Sequence, residues 1–204
     1  MRICYADINE ILPLRFKQLK NLLLWEERKS KSERLRFEDD KKRCIGAGSL
    51  LMKMLRDEEV TDFEISVNEF GKPYLKNRPN LHFNISHSGD YVFCITDDMP
   101  VGIDVEKLSS ANIAVAKRYF AKSEYEWIME KDPEERFVRI WTLKESYAKY
   151  KGQGLGLSFG GFEAIPDLGK VPPDAFFTEY ELPGYHISAC ASKKITGIIE
   201  KVSL

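Results

Sequence analysis

The chain has 204 residues, 43% hydrophobic and 12% aromatic, which is enough for a packed core and excludes a disordered segment. A formal net charge of −1 argues against a general nucleic-acid binder, which needs a basic excess to meet phosphates. No apolar run approaches the roughly 20 residues that span a bilayer, and the first one is broken by Asp7, Asn9 and Glu10, so neither a membrane span nor a secretory leader is expected. The four cysteines (Cys4, Cys44, Cys94 and Cys190) lie far apart with no CxxC pair, as expected for core thiols of a reduced cytoplasmic protein rather than disulfides or a zinc site.

In chain order, Arg2–Asp7 predicts a strand, and Leu12, Phe16, Leu19 and Leu23 then follow a helical stripe. Residues 28–43 carry eight basic against four acidic side chains. They read either as the solvated face of a helix or as a landing site for phosphates. Cys44, Ala47, Leu51 and Leu55 mark the buried side of the next helix, with Gly46 and Gly48 allowing close packing. Phe63–Val67 predicts a strand, and Glu69-Phe-Gly-Lys-Pro-Tyr74 a turn that holds Lys72 just before a proline. Leu81–Ile85 and Tyr91–Ile95 predict neighbouring strands, joined by a turn over Ser86-His-Ser-Gly-Asp90 that gathers several hydrogen-bond donors.

The second half follows a similar order. A strand over Val101–Val105 leads into helices; Ser123-Glu-Tyr-Glu126 reads as a capping box, and Asp132-Pro133 opens a long helix that Gly152 and Gly154 stop. Phe137, Trp141 and Ala148 fall on the core side of that helix, and strands are predicted over 176–180, 185–191 and 195–202. The repeated order of elements predicts an α+β, pseudo-duplicated fold, with residues 1–100 and 101–204 as its halves.

Two stretches carry the candidate chemistry. On a strand over Val101-Gly-Ile-Asp-Val-Glu106, Asp104 and Glu106 share a face. On a helix over Trp141-Thr-Leu-Lys-Glu-Ser-Tyr-Ala-Lys149, Glu145 and Lys149 lie one turn apart. If the two elements pack together, three carboxylates meet beside one cation. Such a group needs positive charge, and hard oxygen ligands suit Mg²⁺. The bland alternative is an exposed helix ion pair and a wet edge strand, each contributing little.

These stretches, with Phe70-Gly-Lys-Pro-Tyr74, Phe83-Asn-Ile-Ser-His-Ser-Gly89 and Lys151-Gly-Gln-Gly-Leu155 in the same order, resemble the 4′-phosphopantetheinyl transferases, most nearly the monomeric, surfactin-synthetase-activating type. The resemblance implies two similar halves about a pseudo-twofold axis with the active site in the cleft between them. It implies transfer of the 4′-phosphopantetheine group from coenzyme A to a serine of an apo acyl or peptidyl carrier protein, with release of adenosine 3′,5′-bisphosphate. It also implies Mg²⁺, with Mn²⁺ as a substitute, on Asp104, Glu106 and Glu145, and Glu145 and Lys149 as catalytic residues. Coenzyme A contacts then fall on Arg28, Lys31, Arg43, Cys44, Lys72, Ser86, His87 and Lys149. Arg28 stands where a lysine is expected and Cys44 where a small hydroxyl residue is usual, which changes donor geometry at both. The carrier is expected beside Lys117, Arg118, Tyr119, Phe120 and Lys122. A metal-dependent nuclease and a non-catalytic carrier-binding protein are the competing classes. The first is disfavoured by the net charge, the second by the intact set of acidic residues and Lys149.

Overall fold

A strand, a long helix and an antiparallel hairpin occur twice along the chain, connected in the same way each time. In the computed structural model, residues 1–204 are described, apart from the side chains of Ser110 and Leu155; the side chain of Leu155, which closes the last motif above, therefore lies outside the described residues. The first set is β1 (Arg2–Asp7), α1 (Pro13–Leu22), α2 (Glu26–Arg34), α3 (Glu38–Asp57), the small pair β2 (Ile65–Val67) and β3 (Pro73–Leu75), then β4 (His82–Ser88) and β5 (Tyr91–Asp97). The second is β6 (Val101–Lys107), α4 (Ile113–Tyr119), α5 (Lys122–Glu130), α6 (Pro133–Lys151), β7 (Phe176–Leu182) and β8 (Tyr185–Ala191), followed by β9 (Ile199–Lys201).

One sheet has the order β4–β5–β1–β9 and the other β6–β8–β7. In each, the opening strand pairs antiparallel with the second strand of the later hairpin. This repeated connectivity is the duplicated α+β fold expected from the order of elements.

Alternation along the strands sorts the side chains into layers. Ile3, Phe93 and Ile95 face Val101, Ile103, Val105, Ile187 and Ala189 in a dry seam between the sheets. The opposite face of the first sheet, with Cys4, Ala6, Val92 and Cys94, packs under α1 and α3. The order is thus helices, sheet, sheet, helices. Helix α3 begins with Glu38, Asp39 and Asp40 in its first turn, where the helix dipole favours acids, and buries Cys44, Ala47, Leu51 and Leu55 as expected. A Cβ at Gly48 would stand 2.9 Å from Leu23, so glycine lets the segment after α1 lie directly on α3. All four cysteines are free, buried thiols. Among the described residues no helix is long and apolar enough to cross a membrane.

Four expectations need correction. The donor-rich stretch Ser86-His-Ser88 is not a turn: β4 runs through it, and only Gly89 and Asp90 turn the chain into β5. Helix α5 opens at Lys122, with Ala121 as its extended cap and the Glu124 carboxylate accepting the Ala121 amide at 3.0 Å, so Ser123 is free to donate to Glu163 instead. Phe120, expected on an exposed rim, is 8% exposed and stacks on Phe137. The last strand is short, Ile199–Lys201, because it pairs parallel with only Ile3, Cys4 and Tyr5 of the first sheet.

Candidate active site

Val101, Ile103 and Val105 fill the seam, so alternation on β6 turns Gly102, Asp104 and Glu106 toward α6. A Cβ at Gly102 would lie 2.0 Å from the Ser146 carbonyl oxygen and 2.4 Å from the Tyr150 amide nitrogen. Only glycine permits that approach, which sets strand backbone against helix backbone. The helix therefore delivers Glu145 and Lys149 to the carboxylates of the strand. Lys149 Nζ lies 2.5 Å from Asp104 Oδ1 and donates to Ser86 Oγ at 3.0 Å.

The two sheets meet at β4 and β6 through side chains rather than a main-chain ladder. Asn84, Ser86 and Ser88 alternate along β4 and accept the amides of Ile103, Val105 and Lys107 at 2.8, 3.4 and 3.2 Å. The same hydroxyls donate onward, Ser86 to Asp104 Oδ1 and Ser88 to Glu106 Oε2, both at 2.9 Å. One row of small polar residues thus fixes the strand and aims its carboxylates. Asn84 was not among the expected site residues, and Ser88 was expected only as one donor of the stretch after Ile85, although the period-two spacing of Asn-Ile-Ser-His-Ser contained both.

The carboxylates crowd one another. Glu145 is pushed up to about 7, first by burial and then by the charge of Asp104, with Lys149 only partly opposing. Glu106 is raised by burial and by Asp104, against hydrogen bonds from Ser88 and Trp141. Asp104 Oδ2 is buried without a partner. No group of three or more His, Cys, Asp and Glu side chains forms a finished metal cage among the described residues. The orphaned oxygen and the protonation forced on Glu145 nevertheless fit a hard cation, since added positive charge relieves both.

A cleft of about 610 Å³ opens from this cluster, with Arg28 and Lys31 of α2, His87 of β4 and the side chain of Lys72 along its walls. His87 points away from Ser86 along β4 and is pushed down to about 4, by burial and then by Arg28, Lys149 and Arg43. A neutral ring among three cations is suited to an anion. Arg28 Nε donates to the Cys44 carbonyl at 2.5 Å, and its guanidinium lies 5.0 Å from the Trp25 ring centroid. Arg43 and Cys44 do not line the cleft. Arg43 binds the Gly89 carbonyl at 2.6 Å and Asp40 at 2.5 Å, and the Cys44 thiol donates to the Arg28 carbonyl at 3.5 Å. Lys72 lines the cleft, and its ammonium also holds the carbonyls of Lys149 and Val101 at 2.5 and 3.0 Å. Lys144, beside Glu145 in sequence, points the other way and forms a fully buried ion pair with Glu124 at 2.8 Å.

Comparison with known proteins places the chain in a family. Residues 100–190 match the family model of the 4′-phosphopantetheinyl transferase superfamily, and residues 13–98 match that of the 4′-phosphopantetheinyl transferase N-terminal region. The chain is 34% identical over 181 residues to 4′-phosphopantetheinyl transferase Sfp of Bacillus subtilis (strain 168), covering 81% of each protein. It is 33% identical over 195 residues to 4′-phosphopantetheinyl transferase psf-1 of Bacillus pumilus, covering 87% of this chain and 82% of the relative. It is 30% identical over 189 residues to the human L-aminoadipate-semialdehyde dehydrogenase-phosphopantetheinyl transferase, covering 74% of this chain and 61% of the relative. With two family models matched in tandem and relatives aligned over most of its length, the chain belongs to the 4′-phosphopantetheinyl transferases.

Proposed function

We propose that the enzyme binds coenzyme A in this cleft and transfers its 4′-phosphopantetheine arm to a serine of an apo acyl or peptidyl carrier protein, with Mg²⁺ as the metal. The observation that carries the reading is the meeting of Asp104, Glu106 and Glu145 with Lys149 at one end of a cleft that is cationic further along. The serine oxygen forms a bond to the phosphorus that bears the arm, and the bond from that phosphorus to the bridging oxygen breaks. Adenosine 3′,5′-bisphosphate then leaves. Its phosphate is a good leaving group, so the enzyme has mainly to position, stabilise charge and accept one proton.

Glu145, or a water that it polarises, accepts the serine proton. Lys149 donates to the departing phosphate oxygen. Asp104, Glu106 and Glu145 would hold Mg²⁺, or Mn²⁺ in its place; when bound, the ion neutralises charge on the pyrophosphate oxygens. Arg28, Lys31 and His87 take the donor's remaining phosphate, Ser86 lies at the reacting end, Arg43 adds charge from behind, and Cys44 acts through the carbonyl that holds Arg28. The enzyme acts as a monomer in this reading, as the resemblance implies. The carrier, typically an acidic bundle, fits the exposed edge of α4 and α5 at Lys117, Arg118, Tyr119 and Lys122.

The test is to incubate the protein with coenzyme A, Mg²⁺ and a panel of apo carriers and to read intact masses. A carrier that gains the phosphopantetheine mass is expected, and no gain on any carrier removes the reading. Asp104→Ala is expected to abolish the gain while leaving the fold intact, and activity near wild type would remove the metal assignment. Chelation is expected to stop turnover, with Mn²⁺ restoring it in part.

A further inference from the structure

The pair β2–β3 joins neither large sheet, yet its turn reaches the end of the helix that carries Glu145 and Lys149. Asn68 and Lys72 make the contact. Asn68 Oδ1 accepts the amides of Phe70 and Lys72 at 3.0 and 2.8 Å, closing the turn on itself. Its Nδ2 crosses to the Gly152 carbonyl at 2.8 Å. Gly71 completes the turn at φ +81°, a conformation that side chains rarely adopt. Four residues after Asn68, Lys72 donates to the Lys149 carbonyl at 2.5 Å and to the Val101 carbonyl at 3.0 Å.

These acceptors are the ends of the two elements that build the acidic cluster. The Lys149 carbonyl also accepts the Gly152 amide at 3.2 Å, and a cation at the end of a helix meets the negative end of the dipole. Val101 is the first residue of β6, three before Asp104. One ammonium therefore ties the C-terminal turn of α6 to the start of β6. The turn also packs on the helix cap: a Cβ at Gly152 would touch Asn68 Nδ2 at 3.3 Å and Lys72 Cδ at 3.5 Å. An ammonium has three N–H groups, and two of those on Lys72 are committed to main-chain carbonyls, leaving one for any ligand. Burial pushes Lys72 down to about 8, with Cys190 opposing the fall and the charge of Lys149 adding to it.

We infer that Asn68 and Lys72 form a clasp that positions Lys149 against Asp104, and that Lys72 serves the reaction as a positioning residue rather than as a contact to the donor's phosphates. The inference rests on the reading of the cleft as the transfer site. It separates two roles by their kinetics. A donor contact appears in the coenzyme A KM, whereas a clasp that aligns reacting groups appears in kcat.

The experiment compares Lys72→Met, which keeps the stem and removes the charge, with Asn68→Ala and the double variant. It measures kcat and coenzyme A KM on an apo carrier, and hydrogen–deuterium exchange over residues 146–154 in the substrate-free protein. Each single variant is expected to lower kcat roughly tenfold or more, as loss of a buried hydrogen bond from a charged or amide donor allows, with KM changed less than about twofold. Exchange at the end of α6 is expected to rise in both, and the double variant to lose less than the product of the two effects, because both hold one turn. A raised KM with kcat retained in Lys72→Met, together with a silent Asn68→Ala, would overturn the clasp. If wild type modifies no carrier, the proposed function fails on its own; exchange then decides, and unchanged exchange in both variants overturns the clasp.

Discussion

Glu145 and His87 sit in one cleft and titrate in opposite directions from their ordinary values. The Glu145 carboxyl is raised from 4.5 to about 7, so the folded state holds a proton there that the unfolded chain has lost. Its contribution is complete below the unfolded value and is lost as pH rises toward about 7. Glu145→Gln is therefore expected to raise the melting temperature relative to wild type more at pH above 7 than near pH 5, while eliminating transfer; equal gains at both would show that the carboxyl is not raised. Cation binding at the cluster displaces the same proton, so Mg²⁺ affinity is expected to climb as pH rises through about 7, with proton release visible by calorimetry in buffers of different ionisation heat. His87 is the reverse case. Its folded value of about 4 lies below the ordinary 6.5, so stability present above 6.5 is lost as pH falls toward 4. A phosphate beside the ring should raise that value, which an NMR titration with and without adenosine 3′,5′-bisphosphate can follow. His87→Ala is expected to raise the coenzyme A KM more than it lowers kcat. At this scale the sequence revealed residue types but not aim. Asp104, Glu106, Glu145 and Lys149 could be paired from strand and helix periods alone. Lys72 could not be aimed, because a long side chain in a turn reaches in several directions, and which carbonyls it meets depends on how a distant helix ends.

At the scale of elements, the close approach of α6 and β6 depends on Gly102. Gly102→Ala places a methyl within 2.0 Å of a main-chain oxygen, so the helix must retreat or tilt. The expected outcome is loss of transfer by about two orders of magnitude, as displacements near 1 Å at reacting groups produce, with secondary structure by circular dichroism kept. The buried pair of Lys144 and Glu124 holds the other side of the same helix. Lys144 also donates to the carbonyls of Phe159 and Phe162 at 2.6 and 2.7 Å. Lys144→Ala strands Glu124 without its counter-charge and is expected to cost about 3–5 kcal/mol in denaturant unfolding. Helix boundaries set by Pro133 and Gly152 were legible, because proline fixes its own φ at a first turn and glycine readily takes the left-handed angle, here φ 70°, that ends a helix. The extent of β4 was not: serine, histidine and glycine in a row resemble a turn, yet the first three of those positions pair with β5 and only a two-residue connection remains.

For the whole molecule, the order of elements was enough to foresee a repeat, since strand, long helix and hairpin recur with similar lengths. What order alone left open was how the halves join, because the join is made by side chains of Asn84, Ser86 and Ser88 that reach main-chain amides across the gap. Tyr185 of β8 adds a second tie, its hydroxyl accepting the Asp90 amide and donating to the Asp90 carboxylate, both at 2.9 Å.

The strand β9 has a consequence for biosynthesis. The edge of β1 that it covers is synthesised well before the residues that cover it, Ile199–Lys201. The first sheet therefore stays unfinished until those residues emerge. Nascent chains halted after residue 100 should remain protease-sensitive around β1, and protection should arrive only when Ile199–Lys201 clear the exit tunnel.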